Sequence, residues 1–303
     1  MLSRNLAVVG LLMAMLLWAS SFIALKLAFQ HYDPMVVMFG RMFVASLCFL
    51  LFFKAIARFE YRAGDWKYLA LMVLSEPCFY FVFEAKALQN TSAQQAGMIT
   101  ALLPLLVGIG AWLWLKERLS RQAWMGFALA VAGAVWLSVA GESTADAPNP
   151  VLGNFYEFCA MVCATGYTLC LKHLSERYSP WLLTALQSFC GSLFFLPMMA
   201  LPDVSLPEGW VPQALIAIVY LGTVVNILAY GLYNLSVASI PASQASAFVN
   251  MIPVFTLGLA YLILGETLNL SQLAAAALVI GGIILSQWQF RPAEERDSEL
   301  TVA

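Results

Sequence analysis

The stretch "LWLKERLS", Leu113–Ser120, closes an apolar run with three consecutive charges, Lys116, Glu117 and Arg118. "LILGETLN", Leu262–Asn269, closes another, and its Glu266 stands 149 residues after Glu117. The same shift aligns Gln95–Ala96 with Gln244–Ala245, Pro104 with Pro253 and Gly133 with Gly282, without a gap. A shift of 146 aligns Lys26 with Lys172 and Pro34 with Pro180. An ordered series of matches across both halves is an internal repeat. It divides the chain into a first repeat over 1–146, a second over 147–290, and a short polar tail over 291–303 that is expected to be disordered and cytoplasmic.

Composition says what is being repeated. The chain is 62% hydrophobic and 11% charged, against about 45–50% and about 25% in a soluble domain. No soluble interior of 303 residues hides that much apolar surface. Ten segments have the length that crosses a hydrocarbon core, about 20 residues. They lie near 5–27, 34–57, 66–88, 92–115, 121–140, 152–172, 180–201, 211–236, 241–264 and 270–289. The fold class is therefore an all-α polytopic membrane protein of ten transmembrane helices. The first segment is too long for a signal peptide and carries "WASSFIALK" in place of a small-x-small cleavage site. Five spans per half is an odd number, so the second five-helix repeat is inverted relative to the first. Inverted repeats are the architecture of secondary transporters, with substrate near the midplane between the halves.

Basic residues crowd the loops on one side: Lys54, Arg58, Arg62 and Lys67, then Lys116, Arg118 and Arg121, then Lys172 and Arg177. The opposite loops "GESTADAPNP" and "LPDVSLPEGW" contain acids and no Lys or Arg. The positive-inside rule places the basic loops and both termini in the cytoplasm. The six cysteines all fall within spans at spacings that match no zinc or haem motif, and read as small buried residues. A net charge of −2 suggests no nucleic-acid partner.

Glu117 and Glu266 end mirrored spans. A carboxylate is unfavourable at a helix C-terminus, so each is expected to be taken up by the free N–H groups that open the following span, near Ser120 or Asn269. A gating ion pair and simple solvation are the alternatives.

The stretches "LLWASSFIALKLA", "DPMVVMFGRMFVASL", "TSAQQAGMITALLPLLVGIGAWLWLKERLSRQAWMGFALAVAGAVWL" and "IPASQASAFVNMIPVFTLGLAYLILGETLNLSQLAAAALVIGGIIL" resemble, in order and spacing, the EamA family of the drug/metabolite transporter superfamily. "RYSPWLLTALQSFCGSLFFLP" looks like that family's seventh helix. The resemblance covers nearly the whole chain. It implies a ten-helix carrier of the bacterial inner membrane, most often an exporter of amino acids or other small metabolites. It does not fix the substrate, and the alternatives are an importer or exchanger of another small metabolite on the same fold, or a non-transporting membrane subunit or scaffold.

Polar residues deep in a span are costly unless they face a cavity or a partner. Arg41 in the second span could hold a substrate carboxylate, or pair with Glu84 or Glu157. The resembling stretch has an arginine there whatever the substrate, which favours a structural or gating role. Gln187 is its mirror. Glu76 lies near the midplane before Pro77, and an acid buried there without a basic neighbour suits a proton carrier or a counter-ion for a substrate amine. Asn226 occupies the mirrored region. Pro104 and Pro253 each free the carbonyl four residues earlier, on Thr100 and Val249. Matched interruptions mark a central site, to which Thr100 and Asn250 add polar side chains. Trp18, Tyr80, Tyr167, Tyr230 and Tyr233 are candidate wall residues. Lys26, Glu117, Glu157 and Glu266 join Arg41 and Gln187 as structural or gating candidates. The ladders Gly126–Ala130–Gly133 and Ala277–Gly281 read as close helix packing.

The only histidines, His31 and His173, sit at span ends. With no HExxH, no Ser–His pair at depth and no phosphate-cradling Gly-Lys loop, enzyme activity, metals and cofactors are not expected. The expected partners are a small-molecule substrate, the lipid bilayer and protons as a candidate coupling ion, with the chain a monomer or homodimer.

Overall fold

A computed structural model describes residues 4–51, 62, 64–115, 120–239, 245 and 247–287. Lys54, Arg58, Glu117, Gln244 and the 291–303 tail lie outside the described residues.

Ten helical segments follow in order. They are α1 (Arg4–Phe29), α2 (Pro34–Leu51), α3 (Trp66–Asn90), α4 (93–115) and α5 (Arg121–Val139), then α6 (Pro150–Ser175), α7 (Pro180–Met198), α8 (Pro212–Ser239), α9 (Phe248–Leu264) and α10 (Leu270–Gln287). Among the described residues seven are by themselves long and apolar enough to cross a bilayer, α9 and the apolar part of α10 are shorter, and α6, at 26 residues, is long enough but is not one of the seven. One end of the bundle, here the terminal face, carries the start of α1 and the end of α10. The other, the distal face, carries the α1–α2, α3–α4, α5–α6, α7–α8 and α9–α10 connections.

Short polar residues set where the helices begin. Asp33 accepts the Met35 amide at 2.8 Å ahead of Pro34, and at the mirrored start Ser179 accepts the Leu182 amide at 3.2 Å ahead of Pro180. Both pair a capping oxygen with a proline where no N–H is needed. Ser92, Ser120 and Asn149 cap α4, α5 and α6 in the same way. Asn269 and Gln272 exchange hydrogen bonds of 2.8 Å at the start of α10, a capping box. At the end of α9, Gly265 turns left-handed (φ +69°) and the Glu266 amide donates back to Ala260 O at 3.2 Å.

The two halves interleave. Helix α1 packs on α8 and α9 of the other half, and α6 packs on α3 and α4 in mirror fashion. Helices α2 and α7 pack on each other, as do α5 and α10. The α5–α10 contact is close because it is built on glycine. A Cβ at Gly126 would stand 2.5 Å from Gly282 O, and one at Gly282 would stand 2.5 Å from Ala130 N. The close approach therefore uses Gly126, Gly133 and Gly282. Gly281 has open space beside it and Ala277 is exposed, so the expected Ala277–Gly281 ladder is not the contacting face of α10, which runs through Ala275, Val279, Gly282 and Ser286.

Four helices are broken at mid-depth, in mirrored pairs. Helices α3 and α8 each contain a wide π-type turn, Leu74–Phe79 and Leu221–Ala229. Helices α4 and α9 each contain a short 3₁₀ turn, Thr100–Leu102 and Phe248–Asn250, just before Pro104 and Pro253. Proline explains the latter pair, since neither can complete the preceding turn's hydrogen bonds.

Candidate functional site

The broken helices surround a cavity with about 520 Å³ of empty space, counting its opening. Mirrored residues line it from both halves: Thr100 and Leu103 of α4 oppose Val249 and Ile252 of α9. The prolines therefore act through backbone shape. Pro104, Pro253 and Asn250 are not among the lining residues; the 3₁₀ turns ahead of the prolines present their neighbours instead.

Six aromatic residues line the cavity: Trp18, Phe22 and four tyrosines. Trp18 stands edge-on to Tyr230 at 5.0 Å between ring centroids and tilts against Tyr233 at 4.8 Å, while Tyr167 meets Tyr230 at 6.4 Å. Tyr80 completes the wall. These rings are held by polar partners behind them: Tyr167 donates to Asn234 at 2.6 Å, and Asn234 donates to Thr184 at 2.9 Å.

The cavity's ionisable lining beyond the tyrosines is Arg41, Glu76 and Glu84. Glu76 sits in the π-type turn of α3 with extended backbone (φ −147°, ψ 118°), which aims its side chain inward from a helix that would otherwise carry it past. Tyr230 donates to its carboxyl, and Gln187 donates to its backbone carbonyl at 3.2 Å. Arg41 is 1% exposed. Its guanidinium reaches Glu84 at 3.4 Å and Asn226 at 2.8 Å, and lies 4.0 Å from the centroid of the Phe81 ring. Tyr80 donates to the other oxygen of Glu84 at 3.4 Å. Arg41 is thus committed to protein partners on three sides, and Asn226 serves Arg41, lining a smaller neighbouring cavity with Gln187.

Trp18, Arg41, Glu76, Tyr80, Thr100, Tyr167 and Tyr230 are thereby brought together, while Asn226, Gln187, Pro104, Asn250 and Pro253 stand behind them. Ser21, Phe22 and Thr168 also line the cavity and went unread in the sequence. The repeat holds the signal for them: the 146-residue shift places Ser21 on Tyr167 and Phe22 on Thr168. Glu157 lies elsewhere, fully buried within α6.

Toward the distal face a latch joins the halves. Glu266 accepts the amides of Ala93 at 3.0 Å and Gln94 at 2.9 Å, and the Gln94 side chain donates back to Glu266 O at 3.0 Å. The expectation that Glu266 serves the following helix is corrected here: Asn269 and Gln272 already cap α10, so the carboxylate is left to cap α4 of the opposite repeat. A negative group on those two amides also complements the positive end of the α4 dipole. Nearby, Lys26 donates to Asp146 O at 2.5 Å. On the terminal face, Arg177 and Tyr178 bind Asp65 at 2.5 and 3.0 Å.

A family model described as the EamA-like transporter family matches residues 5–139 and 151–288. An "Uncharacterized transporter YetK" of Bacillus subtilis is 28% identical over 286 residues, covering 92% of this chain and 86% of that protein. A "Probable terminal-alkyne amino-acid exporter" of Streptantibioticus cattleyicolor is 25% identical over 280 residues, covering 92% of each. A crystal structure of another protein, 20% identical, superposes with a TM-score of 0.66 over 95% of this chain and 99% of that one.

Proposed function

We propose, from the premise that the chain belongs to the EamA-like transporter family and is a multi-pass membrane transporter, that it exports an amino acid or a related small amine by alternating access. The observation that carries this is Glu76, presented by a broken helix into an aromatic-walled cavity between the repeats. An ammonium entering there meets a carboxyl and several ring faces, the arrangement that binds organic cations. Acids outnumber bases in the lining two to one, which favours a positive group on the substrate. The name of the Streptantibioticus relative is consistent with that class.

Glu76 accommodates a proton or the substrate amine, and this competition is the simplest way to couple export to protons. The asymmetric loop charges support an inner-membrane orientation with both termini cytoplasmic, so the distal face is external and the Glu266 latch lies on the external side.

Counterflow in proteoliposomes tests the substrate. Vesicles loaded with one unlabelled amino acid at a time are expected to show transient overshoot of the same labelled compound. Correctly folded protein that gives no overshoot with any amino acid or simple amine would overturn the assignment.

A further inference from the structure

Glu157 is used neither by the cavity nor by the latch. Its side chain is 0% exposed, and among the described residues neither carboxyl oxygen has a hydrogen-bond partner. On α6 it lies ten residues from Tyr167 toward the distal face, about 15 Å at the helical rise. On α3, Glu84 lies eight residues distal of Glu76. Glu84 lines the cavity and Glu157 does not, and the two acids are close enough to act on each other electrostatically.

Among the described residues the surroundings supply no counter-charge. Helix α3 presents Glu84 and Tyr80, and its Lys86 is exposed and stands 5.6 Å from the centroid of the Tyr156 ring. Helix α4 has no ionisable residue, and the only one on α5, Arg121, is at the terminal-face end. Helix α8 contributes Tyr230 and Tyr233 at cavity level. Arg41 of α2 is held by Glu84 and Asn226, with its Nε unpartnered. An ionised carboxylate in such a place is strongly disfavoured, whereas the neutral acid is tolerated. An acid that makes no hydrogen bond adds nothing to packing that an apolar side chain would not, and an ionisable group kept at membrane depth is by default functional.

One turn further toward the distal face, Asn154 joins Thr91 at 2.8 Å, Gln95 at 2.8 Å and Ser138 at 3.0 Å. On the cavity side, Tyr80 connects to Glu84. Polar side chains therefore flank Glu157 in both directions along the bundle.

We propose that Glu157 is a proton-binding site of the transport cycle, separate from Glu76 and exchanging with water at the distal face past the Asn154 cluster. In loading, a hydronium ion or buffer acid gives its proton to a Glu157 oxygen, an O–H bond forms and the carboxylate becomes neutral. Release is the reverse. The proposal rests on the transport reading and is independent of the substrate and of Glu76.

Infrared difference spectroscopy of the full chain reconstituted in lipid, between acid and alkaline buffer, tests it without any ligand. A protonated-carboxyl C=O band is expected to disappear reversibly at alkaline pH. It should be absent from Glu157→Gln, retained in Glu76→Gln, and displaced in frequency in Glu157→Asp, which serves if the Gln variant fails to fold. A band that survives in Glu157→Gln, is not displaced in Glu157→Asp, or does not titrate would overturn the proposal. A titrating Glu157 band in a protein that shows no counterflow would leave this site standing and sink the substrate assignment instead.

Discussion

Helices α3 and α8 carry the same backbone device with different chemistry. Aligned 150 residues apart, Tyr80 meets Tyr230, while Glu76 meets Asn226 and Glu84 meets Asn234. On the packing helices α2 and α7, Arg41 meets Gln187. The first repeat thus places three ionisable groups where the second places three amides. The amides are committed to support: Asn226 holds Arg41, Asn234 holds Tyr167, and Gln187 holds the Glu76 carbonyl. An inverted repeat fixes where side chains from the two halves meet, and leaves free which half bears the charge. At these three mirrored pairs the first half provides the charged groups and the second the supporting amides.

That comparison can be broken. Arg41→Met leaves Glu84 buried without its counter-charge, which costs about 3–5 kcal/mol. Its mirror, Gln187→Met, removes one hydrogen bond, about 0.5–1.5 kcal/mol. Melting of the detergent-solubilised protein should show a severalfold larger drop for Arg41→Met, and equal drops would refute the asymmetry. Glu76→Gln is expected to lower counterflow about a hundredfold, about 2.7 kcal/mol of barrier, and to alter its pH profile. An unchanged rate and pH profile would remove Glu76 from the site.

Smaller effects sharpen the comparison at the edges of the fold. Gly282→Ala drives a Cβ into the backbone of α5 and should destabilise by about 1–3 kcal/mol. The adjacent Gly281→Ala meets open space and should stabilise slightly, by about 0.5–1 kcal/mol. Opposite signs in thermal melts are the expected result. Glu266→Ala uncaps two α4 amides and should cost about 0.5–2 kcal/mol, seen as faster hydrogen exchange at Ala93 and Gln94. Unchanged exchange there would mean that the latch does not hold the two repeats together.

Much of this was legible in the residues themselves. Proline at 104 and 253 announced broken helices, while the break at Pro77 was not read although the residue was noted beside Glu76. The aromatic wall was readable as a set of candidates. The Arg41 partner was narrowed to two acids, Glu84 and Glu157, but the choice between them depends on helix rotation, which no hydropathy pattern encodes. Tertiary contact likewise gave Asn226 its role, since its partner lies on a helix of the other repeat. The break in α8 has no proline to announce it.

The amino-acid sequence by itself determined the membrane class, the ten spans, their inverted repetition and the mirrored interruptions. These are signals of composition and period, each carried within one segment or by comparing segments along the chain. Only the tertiary structure decided that Glu266 caps the opposite repeat, that Glu84 rather than Glu157 takes Arg41, and that Gly282 rather than Gly281 makes the close approach. Each of these turns on a few ångströms between helices far apart in sequence, where hydrogen bonding and steric exclusion select one neighbour from several that the chain order leaves open.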